Sequence, residues 1–214
     1  MSDFFADNKL MGLSNLVDGD TEFIPLISPE EEDRMNLEEV PEKLPILPLR
    51  NNVLFPGVVI PITLGRDKSI KLIQDAYKGN KIIGVVSQKD SSIEEPTYKD
   101  LYEIGSVAQI VKMLKMPDGS STIIIQGKKR LKLEEEISNE PYLIAKIKEF
   151  DEKRLKNISK ESVALFDSLK DMALNIIKNS PNIPSEASFA VKNIESPNFL
   201  VNFISSHMNA EVLE

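Results

Sequence analysis

Residues 105–134 read GSVAQIVKMLKMPDGSSTIIIQGKKRLKLE, and their reading decides the fold. Two apolar, β-branched runs, 105–115 and 122–126, flank Pro117-Asp118-Gly119. Proline presets φ for a turn and glycine supplies φ > 0, so the stretch is expected to be a β-hairpin. Residues 130–134, Arg-Leu-Lys-Leu-Glu, alternate strictly, as a separate half-buried strand would.

The same grammar extends outward. Residues 142–150 give a further strand with Leu143, Ala145 and Ile147 on one face. Upstream, 82–87 is a short apolar strand and 88–100 a polar loop containing Pro96. Residues 66–78 switch to helical spacing, with Ile70, Ile73 and Tyr77 on one face and Gly79 as the stop signal. Residues 58–64 form a β-branched strand. Residues 44–49 form another, which Pro45 and Pro48 assign to a sheet edge. Six or so short strands, mostly antiparallel neighbours, with one inserted helix predict an α+β chain built on a small, partly closed β-barrel, since closure removes exposed edges.

After residue 153 the period changes. Val163, Phe166, Leu169, Ala173 and Ile176/Ile177 mark a long amphipathic helix, ended by Pro181 and Pro184. Ser185 is suited to cap a short helix to about Lys192. Ser196-Pro197 then starts a third helix, with Phe199, Leu200, Phe203 and Ile204 as its apolar stripe. The expected divisions are an acidic, largely disordered leader over 1–42, the β domain over 43–152 and a helical subdomain over 153–214. The sequence stops at Glu214 without a convincing helix terminus, as a fragment would.

Charge sharpens this picture. Residues 1–43 hold twelve acidic and three basic side chains, a balance of −9. The remaining residues hold 23 basic and 22 acidic, a balance of +1. Neither part has the basic excess of a nucleic-acid binder. The leader also carries Phe4, Phe5, Leu10, Met11, Leu13, Leu16 and Val17, so a short docking segment is the alternative to a solvated tail. No basic-plus-apolar signal segment opens the chain, and no apolar run approaches the ~20 residues of a membrane helix. A cytoplasmic location is expected.

Catalytic chemistry finds no footing. With no cysteine, thiolate chemistry and Cys-ligated zinc are excluded, and one histidine, His207, cannot build a histidine metal site. His207 reads as a helix-terminal residue. Gly127-Lys128 is the nearest trace of a phosphate-cradling loop, but Lys129 stands where Ser or Thr is needed. The carboxylate groups at 94–95, 134–136 and 151–152 lie in loops or at strand ends and read as solvated charge. Lys128, Lys129, Arg130 and Lys132 form the densest basic cluster; without interleaved aromatics they read as a solvated strand edge that discourages aggregation. No cofactor is expected.

The β segment resembles the N-terminal domain of Lon proteases. The likeness runs through Leu44-Pro45-Ile46-Leu47-Pro48-Leu49-Arg50-Asn51, Leu54-Phe55-Pro56-Gly57, Ile60-Pro61-Ile62 and Gly65-Arg66-Asp67-Lys68-Ser69-Ile70. It continues through Val85 to Asp90, Ile104 to Ala108, Lys115 to Ser120, and the Gly127 and Arg130 pair, and ends near Phe203 to Met208. The match covers about residues 43–208. It implies a PUA-like β domain followed by helices, binding of unfolded or damaged protein, and a part in organising a hexamer. Family members continue into an AAA+ ATPase and a serine–lysine protease; this chain has neither set of motifs, so no catalysis of its own is expected. A stand-alone Lon-domain adaptor is the alternative, with an RNA-binding PUA-like module behind it.

A binder of unfolded chains needs an accessible apolar patch or an open strand edge. The candidates are Phe55, Pro56 and Gly57 in a loop between strands, and Met113, Leu114, Met116 and Pro117 around the hairpin tip. Methionine adapts to varied partners. The alternative places Phe55 and Leu114 in the core with the methionines filling gaps; it is the preferred reading for Phe55, while Met116 and Pro117 divide about evenly between the two. Arg50 and Arg66 fit either structural hydrogen bonding or ligand contact.

Overall fold

The computed structural model describes residues 26–117, 119–150, 159–180, 183 and 186–208. In chain order these form α1 (Pro29–Leu37), β1 (Lys43–Leu49), β2 (Val59–Leu64), α2 (Asp67–Lys78), β3 (Ile82–Ser87), β4 (Ile104–Lys115), β5 (Ser121–Ser138), β6 (Ile144–Glu149), α3 (Lys160–Asn179), α4 (Glu186–Asn193) and α5 (Pro197–Ser206). They divide into two compact units. One runs from Glu30 through β6 and takes in the end of α5 from Val201; the other holds α3, α4 and the start of α5 up to Leu200.

The sheet order in the first unit is β2-β5-β4-β3-β1-β6, and β6 also pairs with β5. That second pairing closes β1, β3, β4, β5 and β6 into a ring, with β2 outside it on the first half of β5. The β5 strand makes this possible by its length. At 18 residues it pairs with β2 through residues 121–126 and with β6 through 131–138. The two strands expected over 122–126 and 130–134 are therefore one. Gly127 sits at the change of partner and does not break the strand.

The assignment of β1 to a sheet edge is also corrected, because β1 lies between β3 and β6. Its ladder changes sides midway. Residues 43–45 pair with β6, antiparallel, and residues 46–49 pair with β3, in parallel. Each half keeps one side without a registered partner, which lets a strand tolerate prolines that lack an N–H.

Strand alternation builds two apolar clusters. One holds Leu47, Leu49, Leu54, Leu64, Ile83, Val85, Ile110, Ile123 and Ile125, capped by Leu72 and Ile73 of α2. The other holds Leu44, Ile46, Val86, Leu101, Val107, Leu131, Leu133, Leu143, Ala145 and Ile147. Full burial of one such side chain contributes about 1.5–3 kcal/mol. The α2 helix matches its expected span, and Leu143, Ala145 and Ile147 share the buried face as expected.

The acidic run 30–32 forms the first turn of α1, where its charge suits the helix dipole. Met35 of that helix is buried. Helical structure thus reaches into the stretch expected to be a disordered leader; the apolar residues Phe4 to Val17 lie outside the described residues.

In the helical unit, the Ser159 side chain accepts from the Ser162 N–H at 3.1 Å and caps α3. The Lys170 ammonium donates to the Lys192 carbonyl at 3.2 Å, joining α3 to α4. Of the expected α3 stripe Ala173 is buried, while Val163 and Ile176 are 46% and 61% exposed. Ser196 caps α5 as expected, its hydroxyl accepting from Phe199 N–H at 3.2 Å.

Candidate protein-binding surface

The hairpin carries the plainest of the candidate residues. Met113 faces Ile123 across the β4–β5 ladder, Leu114 faces Thr122 and Lys115 faces Ser121. Met116 N–H donates to the Ser120 carbonyl at 2.9 Å, and Gly119 N–H donates to the Met116 carbonyl at 3.0 Å. Gly119 sits at φ +86°, the left-handed value expected of it. Met116 and Pro117 are exposed at the tip, and Met113 and Leu114 are half-buried below them.

Phe55, Pro56 and Gly57 form a different kind of structure. Val58 N–H donates to the Phe55 carbonyl at 3.1 Å, and Gly57 N–H donates to the Gly127 carbonyl at 2.9 Å. Gly127 N–H returns a bond to Val58 at 2.9 Å. The Asn202 amide donates to the Pro56 carbonyl at 3.1 Å while its oxygen accepts from Arg130 at 2.7 Å. Asn202 is itself buried. This turn is fastened from two directions, by Gly127 and by Asn202, and Phe55 and Pro56 are half-buried and Gly57 buried.

The two groups are not brought together. Gly57 bonds at Gly127 and Met116 bonds at Ser120, the two ends of the β2–β5 ladder. Seven residues of strand at about 3.3 Å each separate them by roughly 23 Å. A single patch containing all seven candidates is therefore not what the fold provides.

Sequence reading missed the neighbours that extend the hairpin. Ile60, Ile62 and Tyr77 are half-buried around the same core cluster as Met113. Tyr77 belongs to α2; the β2 strand that carries Ile60 and Ile62 has β5 as its one registered partner among the described residues, so its outer edge faces away from the sheet. Pro61 sits midway along that edge, where a missing N–H blunts strand-on-strand aggregation. The alternation Ile60, Ile62, Leu64 was the available signal.

The basic cluster differs from the expected solvated edge. Lys128 and Lys129 keep only 10% and 11% of their side-chain exposure. Lys128 pairs with Glu38 at 3.4 Å, Lys129 with Glu149 at 3.1 Å and Lys132 with Glu103 at 3.2 Å. Lys128 and Lys129 are structural because β5 is an interior strand here and they fasten flanking segments, whereas Lys132 stays half exposed beside an exposed Glu103, as expected of solvated charge. His207 stacks at 4.5 Å on Phe203, and its Nδ1 lies 2.8 Å from the Phe203 carbonyl, in keeping with a helix-terminal role.

Among the described residues no group of three or more His, Asp or Glu could hold a metal ion, and no helix is long and apolar enough to cross a membrane.

Comparison with known proteins fits this architecture. Two solved structures share the fold: the N-terminal domain of a Mycobacterium avium complex Lon protease, and a Lon N-terminal domain protein from Xanthomonas campestris. The first has TM-score 0.62 at 19% identity, covering 78% of this chain and 83% of that one. The second has TM-score 0.50 at 16% identity, covering 78% and 98%. In sequence, the Lon protease of Flavobacterium johnsoniae is 56% identical over 213 residues, 98% of this chain and 26% of the relative. That of Cytophaga hutchinsonii is 51% identical over 191 residues, 89% of this chain and 24% of the relative. The chain thus spans about a quarter of the length of these curated relatives. The sequence pattern of the ATP-dependent protease La (LON) substrate-binding domain matches residues 43–214, which include the ring, the hairpin and the described helices that follow them. With most of its length matched by that pattern and nearly all of it aligned to a Lon protease at 56% identity, the chain belongs to the LON substrate-binding domain family.

Proposed function

We propose that this chain is the N-terminal region of a Lon-type ATP-dependent serine protease, where it binds unfolded or damaged proteins. On this reading it has no catalysis of its own and also supports assembly of a hexamer in the cytoplasm. The observation that carries substrate binding is the hairpin: Met116 and Pro117 stand exposed at its tip, with Met113 and Leu114 half-buried beneath. A patch of this kind suits exposed apolar side chains of any sequence, because thioether side chains adapt to differently shaped partners.

The test is fluorescence anisotropy of a labelled, permanently unfolded protein titrated with this chain, with the folded form of the same protein as control. Saturable preference for the unfolded form at micromolar or weaker affinity supports the reading. Equal affinity for both forms, or none for either, removes substrate recognition from this chain and leaves assembly as its role.

A further inference from the structure

The parallel pairing of β1 and β3 brings three chemistry-bearing residues to one place. Leu49 registers with Ser87, so Arg50 and Gln88 follow at neighbouring strand ends. Arg66 immediately precedes α2, whose N-terminal N–H groups carry partial positive charge. The Arg66 guanidinium donates to the Pro48 carbonyl at 3.3 Å and to the Gln88 side-chain oxygen. Gln88 is held in turn by bonds to the Asp90 and Ile93 carbonyls at 3.1 and 3.0 Å. Arg50 is exposed and, among the described residues, makes one long hydrogen bond, 3.4 Å, to the Ile93 carbonyl.

The two guanidiniums are linked through Gln88 and the Ile93 carbonyl, close enough for their like charges to repel. Burial first, and then the charge of Arg50, push the Arg66 guanidinium below its ordinary value. The nearby carboxylates of Glu94 and Glu95 act in the other direction, yet among the described residues neither arginine has a carboxylate within 4.0 Å. Each terminal nitrogen of Arg66 carries two hydrogens and uses one. Its buried Nε has no acceptor among the described residues, so the packing they provide does not satisfy it. A side chain kept only for structure would be expected to close its charge on Glu94 or Glu95.

We propose that Arg50 and Arg66 form a binding site for a phosphoryl oxyanion at the carboxyl ends of β1 and β3. A dianion with several acceptor oxygens takes donors from both forks at once, which one carboxylate does poorly. Exposed Glu94 and Glu95 oppose entry and set a threshold that weaker anions do not cross. The phosphoryl group comes either from free phosphate or from a phosphorylated side chain of a bound protein. The site uses none of the hairpin residues, so its failure would leave the unfolded-protein reading standing.

The test is an amide NMR titration of the full 214-residue chain with sodium phosphate, against sodium chloride at equal ionic strength. Expected are saturable shifts at Asn51, Asp67, Lys68 and Gln88 with phosphate alone. Arg50→Gln should weaken binding about tenfold or more, while the Glu94→Gln/Glu95→Gln pair strengthens it. Because Arg50 is exposed, an unchanged spectrum away from the site verifies that this variant folds. A phosphoserine peptide that binds at least tenfold more tightly than phosphate identifies a phosphorylated protein as the source; equal affinity identifies free phosphate. Shifts that chloride reproduces, or unchanged affinity in Arg50→Gln, overturn the proposal.

Discussion

A Cβ built on Gly127 would collide with the carbonyl oxygen of Phe55, with the Leu54 side chain behind it. The obstacle is backbone, held by reciprocal bonds through Gly57 and Val58, so it has no rotamer by which to yield. Gly127→Ala is therefore expected to destabilise by about 2 kcal/mol or more, read as a lower urea midpoint. An unchanged midpoint would mean the 55–57 turn is not rigid. Asn202 is the second residue on which that turn depends. Its truncation to alanine strips a donor from the Pro56 carbonyl and an acceptor from Arg130, both part-buried. A loss of about 1–3 kcal/mol is expected from breaking both bonds, and an alanine variant within experimental error of the parent would refute the staple. Gly127 and Arg130 were visible in sequence as a paired signature. What they do was not, because Asn202, which accepts a bond from Arg130, lies 72 residues away.

At the scale of elements, the short turn at 98–100 carries a pH-sensitive cap. The Thr97 N–H donates to the Asp100 carboxylate at 2.8 Å and its hydroxyl does so at 2.7 Å, and these bonds hold that carboxyl below its ordinary value. A depressed folded-state value stabilises above the unfolded pKa, and the contribution is lost as pH falls through the folded one. Thr97→Val removes the hydroxyl bond and keeps the backbone one. The Asp100 carboxyl should then titrate higher, part of the way to an ordinary aspartate, in a carboxyl NMR titration; an unmoved titration would assign the whole effect to the backbone. The hairpin makes the complementary prediction. Met116→Ser, at an exposed tip, should leave the unfolding free energy from urea titration within about 0.5 kcal/mol of the parent. On the substrate-binding reading it lowers affinity for unfolded protein severalfold; unchanged affinity would remove the tip from the binding surface. Turn chemistry made this hairpin legible, since Pro117 and Gly119 fix a local geometry. The continuity of β5 and the interior place of β1 were not legible, because both are set by which strand pairs alongside. Pro48 reads as an edge residue until its strand is seen to change partners halfway along.

At the scale of the whole molecule, the proposed substrate-binding reading has to reconcile affinity with indiscriminate recognition. A surface that accepts many sequences cannot be shaped closely to any one, so each contact must be weak. The exposed part of the hairpin is two residues beyond a half-buried pair, far smaller than a specific interface of roughly 800 Å² per partner. The fastened 55–57 turn lies some 23 Å away along β5 and does not enlarge it. Tight capture of an unfolded chain therefore has to come from several copies acting on one polypeptide, which an unfolded chain allows because its apolar segments recur along its length. Fusing this chain to an inert hexameric scaffold isolates that effect, with no ATPase or pore present. The apparent affinity for a long unfolded protein should rise by about 10²–10⁴ over the single chain, while a short peptide with one apolar segment gains little. Carrying Met116→Ser in all six copies should cost far more than in one, because each weakened contact enters the product. If the hexameric fusion bound the long unfolded protein no better than the single chain, then copies of this surface would not cooperate on one substrate, and the strength of recognition would have to arise outside these residues.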